Sequence, residues 1–230
     1  MPLYRLHPDH YLVPDPDLAE DDGLLAIGGD LSPQRLLVAY GMGIFPWYNP
    51  EDPILWWSPD PRLVLFPEEV KISHSMRPLF NRAAYRVTFD RNFDTIIRKC
   101  RFNKRKHQQG TWISDDIIDA YTALHRMGFA HSVEVWQEDE IVGGLYGIST
   151  GKCFFGESMF AEASNASKFG LITLCQKLRA RNFFLIDCQQ ETLHLTSMGA
   201  RCIPRTEFLD ILEKSRMEES LTGDWGSLLA

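Results

Sequence analysis

The chain has 230 residues, of which 44% are hydrophobic, and it carries a formal net charge of −7. This length is enough to bury a full hydrophobic core, either as one large domain or as a core domain with a smaller annex. Its sequence contains no apolar run near the ~18 residues of a membrane span, which excludes a transmembrane helix. No signal-peptide core follows the N-terminal Met, so we expect a cytoplasmic protein with no membrane partner.

The cysteine and histidine content argues against disulfides and metal ions. The five cysteines are odd in number and scattered, mostly within apolar segments, so free thiols are the expected state. The seven histidines form neither an HExxH pattern nor a Cys/His ligand spacing. We therefore predict no metal site, and nothing in the sequence requires a cofactor.

Residues 1–61 are predicted to form a small N-terminal domain. The first thirty residues are rich in Pro, Asp and Gly, and we predict that they are irregular. Ser32 followed by Pro33 predicts the start of a helix that ends near Gly41. The next segment is dense in Trp and Pro, and its last proline, Pro61, marks the predicted boundary.

Three tryptophans lie close together in this N-terminal domain. We interpret Trp56 and Trp57 as residues that pack the small domain against the larger one. Trp47 lies in a Pro-bounded loop, where its ring can either pack in the same way or stack on a base.

Residues 62–230 are predicted to form a larger domain of mixed α/β type. Ser114 predicts the cap of one helix, and Asn165 predicts the cap of another. The predicted order β-α-β-α-α-β-β-β-α-β-α favours a mixed sheet with adjacent antiparallel strands over a doubly wound parallel sheet. The predicted strands are 62–66, 85–89, 131–137, 141–149, 152–159 and 183–190. Four helices are predicted. Two of them are 75–82 and 115–127, and a third runs from Asn165 to about Arg181. The fourth is capped by Asp90 and carries Phe93, Ile96 and Ile97.

The charge is distributed unevenly, with a basic segment at 71–107 that holds eleven Lys and Arg residues against two acids. The rest of the chain is correspondingly acidic. Such a split indicates one surface for a polyanion, although a solvated basic face without function is the alternative. Residues 98–109 are predicted to be a mobile loop. The basic candidates for phosphate contacts are Lys71, Arg77, Arg82, Arg98, Lys99, Arg101, Lys104, Arg105 and Lys106.

The stretch 141–190 carries the polar residues that packing alone does not explain. It begins with a glycine-rich hairpin, where side chains are missing and another backbone or a ligand can approach. It ends with an apolar run that turns polar at Asp187, as a buried strand does when its end opens into a site. Because side chains alternate along a strand, we expect Asp187 and Gln189 to share one face and Cys188 to lie on the other.

Eight short motifs together resemble the leucyl/phenylalanyl-tRNA-protein transferases, in family order, over about residues 25 to 210. They are Gly-Gly-Asp-Leu-Ser-Pro at 28–33, Gly-Ile-Phe-Pro-Trp at 43–47, Trp-Trp-Ser-Pro-Asp-Pro-Arg at 56–62, Gly-Thr-Trp-Ile at 110–113, His-Ser-Val-Glu-Val-Trp at 131–136, Gly-Glu-Ser-Met-Phe at 156–160, Asn-Ala-Ser-Lys at 165–168 and Ile-Asp-Cys-Gln at 186–189.

The resemblance implies a small N-terminal domain and a catalytic domain with a mixed, largely antiparallel sheet of the Gcn5-related acetyltransferase type. It also implies transfer of Leu or Phe, with Met a third option, from aminoacyl-tRNA to the α-amine of proteins that begin with Arg or Lys. Such transfer tags the acceptor for the N-degron pathway.

For that reaction we expect Gln189 to touch the reacting amine or carbonyl and Asp187 to orient Gln189 and stabilise the cationic amine. Capping of the loop after the strand is the alternative role for Asp187. Glu157 is the second acidic candidate. We expect it to bind the acceptor's amine or basic side chain, and a structural hydrogen bond to the loop is the alternative.

A Leu or Phe pocket must be apolar and roomy, and its candidates lie on the hairpin, helix and strand that converge at the site; ordinary core packing is the alternative for each. They are Leu145, Met159, Leu171, Leu174, Leu178 and Ile186. The chain departs from the family in having Leu145 for Met, and Leu174 and Leu178 for aromatic residues, so the donor preference stays open. The resemblance also implies that Trp47 and Trp112 hold the terminal adenosine.

Three other classes compete with this interpretation. An acetyl-CoA-dependent acetyltransferase shares the fold, but the chain lacks its pyrophosphate-binding motif. A cell-wall aminoacyltransferase uses the same donor but is typically longer, with two copies of the domain. A non-catalytic RNA-binding protein accounts for the basic segment and leaves Glu157, Asp187 and Gln189 without a role.

Overall fold

The computed structural model describes residues 3–102 and 111–229. The strands are β1 (Tyr4–Leu6), β2 (Leu24–Gly28), β3 (Phe45–Pro46), β4 (Leu55–Trp57), β5 (Arg62–Leu65), β6 (Arg86–Phe89), β7 (Ala130–Gln137), β8 (Glu140–Thr150), β9 (Cys153–Ala161), β10 (Leu185–Gln189) and β11 (Arg201–Ile203). The α-helices are α1 (Pro33–Gly41), α2 (Arg77–Asn81), α3 (Phe93–Phe102), α4 (Asp115–Arg126), α5 (Ala166–Ala180), α6 (Leu193–Ser197), α7 (Arg205–Arg216) and α8 (Trp225–Leu228).

The first sheet has the strand order β1-β2-β4-β3 and includes the segment predicted to be irregular. That prediction is wrong, because β1 and β2 pair in parallel there. The fully buried guanidinium of Arg35 donates to the carbonyl of His7 at 2.8 Å and pairs with Asp30 at 3.2 Å. The contact with His7, which is 28 residues away in the chain, helps to hold a segment whose local composition resembles a loop.

The second sheet has the order β11-β5-β10-β9-β8-β7-β6. Only the central β9 and β10 pair in parallel, and every other neighbouring pair is antiparallel. The prediction of a mixed, largely antiparallel sheet is therefore confirmed. The first sheet ends at Trp57 and the second begins at Arg62, so the predicted domain boundary near residue 61 falls between them.

Helices cover both faces of the second sheet. Helices α3 and α4 contribute to one buried apolar cluster, and α5 contributes to the other. Ser114 caps α4 as predicted, since its hydroxyl accepts a hydrogen bond from the Ile117 N–H at 3.2 Å. The side chain of Asn165 makes no cap hydrogen bond, and the residue instead turns the chain into α5 with a φ of 63°. None of the helices in the described ranges combines the length and apolar character needed to cross a bilayer.

Two local predictions before α4 fail. Asp90 does not cap α3, because its carboxylate accepts hydrogen bonds from the Ser132 and Trp225 N–H groups and lies 2.8 Å from Nδ1 of His131. The basic stretch after residue 97 is also helical as far as Phe102, since α3 continues through it. Lys104, Arg105 and Lys106 lie outside the described residues.

Candidate active site

A cavity of about 460 Å³ opens where β9 and β10 stop pairing. Their parallel register runs from Leu185 opposite Cys153 to Asp187 opposite Phe155, and the cavity walls include the residues that follow on both strands. The volume is within the usual range for small-molecule sites. The lining residues are Phe45, Pro46, Trp47, Trp112, Leu145, Tyr146, Phe154, Gly156, Glu157, Ser158, Met159, Leu171, Ile186, Cys188, Gln189, Gln190, Thr192, His194 and Leu195.

A β-bulge on each of the two strands shapes this opening. On β9 the register with β8 shifts after Gly156, which leaves Glu157 as the extra residue. On β10 the register with β5 shifts between Asp187 and Gln189, which leaves Cys188 as the extra residue. Because a bulge interrupts alternation and redirects side chains, it brings Glu157 and Gln189 to the same cavity.

The carboxyl of Glu157 is held by two tyrosines that the sequence did not single out. The Tyr40 hydroxyl of α1 lies 2.8 Å from Oε1, and the Tyr121 hydroxyl of α4 lies 3.1 Å from Oε2. The two hydroxyl oxygens are 2.5 Å apart. Burial raises the pKa of Glu157 to about 8, although hydrogen bonds from the two tyrosines lower it. Apolar spacing places both tyrosines on inward helix faces, but no sequence signal pairs them with an acid on a strand.

The expectation that Asp187 faces the cleft beside Gln189 is wrong. The side chain of Asp187 is fully buried and accepts two hydrogen bonds from Arg62, at 2.8 Å from Nε and 2.7 Å from Nη2. The Arg62 guanidinium lies over the rings of Phe45 and Phe208, at 4.8 and 4.6 Å from their centroids. Normal strand alternation directs Ile186 and Cys188 to the cavity and Asp187 to the opposite, closed side of the sheet.

Gln189 nevertheless reaches the cavity because its backbone is left-handed. Its φ is 57°, a region that few residues other than glycine adopt. Its N–H donates to Oδ1 of Asp187 at 3.0 Å, so Asp187 stabilises the turn that redirects Gln189. The Nε2 atom of Gln189 is buried and has no hydrogen-bond partner among the described residues.

Four of the six residues predicted to form the apolar pocket line the cavity. Leu145, Met159, Leu171 and Ile186 line the cavity. Leu174 and Leu178 do not, and their side chains are fully buried in the apolar cluster on the α5 side of the sheet.

Both tryptophans predicted to contact the adenosine also line the cavity. The Trp47 backbone carbonyl accepts a 2.6 Å hydrogen bond from the Trp57 indole, and the two rings are tilted by 60°. Trp56 is fully buried, with its indole N–H on the Gly28 carbonyl at 2.8 Å. These contacts of Trp56 and Trp57 lie within the N-terminal domain, and Trp57 supports Trp47 at the cavity wall, while packing of the two rings against the larger domain stays a prediction.

The described basic candidates fall into two groups. Lys71, Arg77 and Arg82 are exposed on the segment between β5 and β6. The α3 residues are in ion pairs with acidic partners: Arg98 with Asp94, Lys99 with Glu162, and Arg101 with Asp115. Among the residues that the structure describes, no group of three or more His, Cys, Asp or Glu side chains could hold a metal ion.

Comparison with known sequences matches nearly the whole chain. The family model described as leucyl/phenylalanyl-tRNA protein transferase matches residues 64–213, and the model for its N-terminal domain matches residues 29–60. A leucyl/phenylalanyl-tRNA--protein transferase of Syntrophus aciditrophicus is 54% identical over 94% of this chain and 90% of its own length. One of Thermodesulfovibrio yellowstonii is 52% identical over 98% of this chain and 91% of its own length.

Two solved structures have a weak likeness to this chain. L-PGS from Bacillus licheniformis is 14% identical with a TM-score of 0.40, over 68% of this chain and 50% of that one. A GCN5-related N-acetyltransferase from Kribbella flavida is 10% identical with a TM-score of 0.32, over 74% of this chain and 59% of that one. Similarity at this level does not bear on function.

Proposed function

Because this chain belongs to the leucyl/phenylalanyl-tRNA-protein transferase family, we propose that the cavity beside β9 and β10 seats the aminoacyl end of a charged tRNA and the N-terminus of an acceptor protein. The protein is an aminoacyltransferase that moves Leu or Phe from aminoacyl-tRNA to proteins with N-terminal Arg or Lys, and so marks them for the N-degron pathway. The main support for the proposal is that one cavity is lined by two tryptophans, by apolar side chains, by the Glu157 carboxyl and by the Gln189 amide.

The reaction requires little from the protein beyond placement. An ester becomes an amide, so the transfer is downhill without ATP. The nucleophile is an α-amine with an ordinary pKa of about 7.7–8.0, so a sizeable fraction is neutral near neutral pH. Positioning of the amine against the ester carbonyl and stabilisation of the tetrahedral oxyanion are then the main sources of rate.

For the donor, we expect Trp47 and Trp112, which both line the cavity, to stack on the terminal adenosine, a contact worth ~1–3 kcal/mol per base. The aminoacyl side chain then lies against Leu145, Met159 and Leu171, which line the same cavity. Met adapts to differently shaped apolar groups. This arrangement fits either Leu or Phe and leaves Met as a third donor.

At the reacting bond, Gln189 supplies the contact to the ester carbonyl. Its buried Nε2 is a hydrogen-bond donor that no described residue satisfies, so it suits an oxygen that becomes negative during attack. Glu157 faces the acceptor amine from the neighbouring strand. Asp187 contributes through the position it gives Gln189, since Arg62 occupies its carboxylate.

The tRNA body is bound outside the cavity by phosphate contacts, which position the donor without reading sequence. The exposed Lys71, Arg77 and Arg82 are available for this role. Arg98, Lys99 and Arg101 must first exchange an acidic partner for a phosphate. Replacing the first three by Ala should reduce the slope of log K against log salt by about 2–3, at ~0.7–0.9 per contact.

The decisive assay uses radiolabelled Leu-tRNA with a peptide that begins with Arg and the same peptide beginning with Ala. We expect label only in the Arg peptide. Glu157→Ala should raise the acceptor KM while Glu68→Ala, which removes an exposed carboxylate elsewhere, leaves it unchanged. Equal labelling of both peptides, or of neither, would exclude the proposed function.

A further inference from the structure

Three oxygen-bearing side chains form a closed triangle at the cavity wall. Tyr40, Tyr121 and Glu157, here called the tyrosine-carboxyl ring, make contacts of 2.8, 3.1 and 2.5 Å. The tyrosine side chains are fully buried and come from two helices, while Glu157 comes from the β9 bulge. All three distances lie in the range of O–H···O hydrogen bonds or slightly beyond it.

The number of hydrogens decides the charge of this ring. Each phenol carries one hydrogen, and an ionised carboxylate carries none, so Tyr40 and Tyr121 alone supply two hydrogens for three contacts. If both hydroxyls donate to Glu157, two oxygens lie 2.5 Å apart with nothing between them. If one hydroxyl donates to the other, a phenol lone pair faces a negative carboxylate. One further hydrogen removes either conflict.

We propose that Glu157 is a neutral carboxylic acid in the free protein, and that the tyrosine-carboxyl ring is the site that receives the acceptor's α-amine in its uncharged form. This inference rests on the proposed function for the identity of the amine. One contact of the ring then runs from the carboxyl O–H to a phenol oxygen, and the other carboxyl oxygen keeps a lone pair for the amine N–H.

The groups that surround Glu157 favour the neutral form. Tyr146 of β8 packs edge-on against Tyr121, with centroids 5.8 Å apart, and adds no positive charge. Asp187 raises the pKa of Glu157 and Arg62 lowers it, but these two residues are a bidentate ion pair and largely cancel. Burial is the largest influence on the pKa and opposes ionisation.

A neutral Glu157 has a direct chemical consequence. A carboxylate in a cavity of low dielectric would hold the α-amine as ammonium, which has no lone pair with which to attack. A neutral acid leaves the amine uncharged. Its nitrogen then forms the amide bond as the ester C–O bond breaks, and the proton lost from nitrogen ends on the departing ribose hydroxyl. Glu157 keeps its own proton throughout.

The protonation state can be measured without activity, by carbon-13 NMR on protein labelled at the glutamate side-chain carboxyl, with Glu157→Gln to assign the signal. The wild type should titrate near pH 8. Tyr40→Phe should lower the midpoint, because an open ring no longer needs the third hydrogen. If burial alone kept Glu157 neutral, Tyr40→Phe would instead raise the midpoint, because the carboxylate would lose the hydrogen bond donated by Tyr40. Tyr48→Phe, a matched hydroxyl deletion outside the ring, should leave it unchanged.

Catalysis provides a second measurement, with donor hydrolysis subtracted at each pH. Wild-type kcat/KM should rise and then fall through pH 8, because the amine and Glu157 lose protons in the same range. Glu157→Gln can close the same ring through its amide, so it should retain activity within about fivefold at pH 7 and lose the alkaline fall. Any of three results would overturn the inference. They are a titration midpoint of Glu157 below pH 6, a higher midpoint in Tyr40→Phe than in the wild type, and a hundredfold loss of activity in a folded Glu157→Gln protein. If the wild type transfers nothing, the proposed function fails, and the NMR titration alone decides the charge of Glu157.

Discussion

Asp187→Asn tests the role assigned to the buried ion pair. Asp187 and Arg62 are both fully buried, and the guanidinium contacts two aromatic rings. Asparagine keeps one oxygen but leaves the positive charge of Arg62 unbalanced. Loss of one partner of such a pair costs about 3–5 kcal/mol. At about 2–4 °C per kcal/mol for a chain of this size, the melting temperature should fall by about 6–20 °C.

The assay is urea unfolding of the single variant and of a charge-free double variant, Arg62→Met with Asp187→Leu. A buried pair replaced on both sides by apolar groups is often neutral in stability, so the double variant should regain most of the loss. It should still transfer about 100-fold more slowly, because the Gln189 N–H has lost its acceptor and a displaced catalytic group can cost that much.

Two results would refute this reasoning. The first is a loss of stability below about 1 kcal/mol in Asp187→Asn, which would mean that the pair does not hold the strand end. The second is a double variant that transfers at the wild-type rate, which would mean that Gln189 does not depend on Asp187 for its position.

Three further predictions concern the donor, its side chain and pH. Trp112→Ala should raise the donor KM about 5- to 150-fold without changing the acceptor KM, whereas Trp136→Ala, outside the cavity, should change neither. Leu145→Ala should shift kcat/KM towards Phe over Leu by about 10-fold or more, while Leu178→Ala should lower stability by ~2–5 kcal/mol and leave the Leu/Phe ratio unchanged. Burial lowers the pKa of His131, against the opposing hydrogen bond of Asp90, so the folded state favours neutral His131. The unfolded chain therefore takes up more protons below about pH 6.5. The free energy of unfolding should decrease there and should vary less with pH in His131→Phe; an unchanged pH dependence would contradict this assignment.

Strand β10 shows which features of the site the sequence predicts and which it does not. The apolar run that ends at Gln189 correctly predicts a buried strand whose end opens into a cavity. Period-two alternation then places Asp187 and Gln189 on the same face, which the bulge prevents. Few sequence signals mark a bulge at a non-glycine residue, because the left-handed turn at Gln189 is stabilised by the Asp187 carboxylate rather than by its own propensity.

Helix periodicity has a similar limit on α5. Leu171, Leu174 and Leu178 follow the spacing of one helix face, and all three are buried as the pattern predicts. Only Leu171, in the first half of the helix, reaches the cavity. Spacing identifies the buried face of a helix, but the level at which a cavity opens depends on where the neighbouring strands separate.

The contacts of the Arg62 side chain have a consequence for how the protein is made. Phe45 belongs to the first sheet, Asp187 to the centre of the second, and Phe208 to α7, so one guanidinium is enclosed by parts of the chain that leave the ribosome far apart in time. Translation proceeds at about 5–20 residues per second, and N-terminal elements fold first. A nascent chain that has not yet released Phe208 therefore lacks one of the two rings that contact the Arg62 guanidinium, and the surroundings of the Asp187–Arg62 pair are complete only after α7 has emerged.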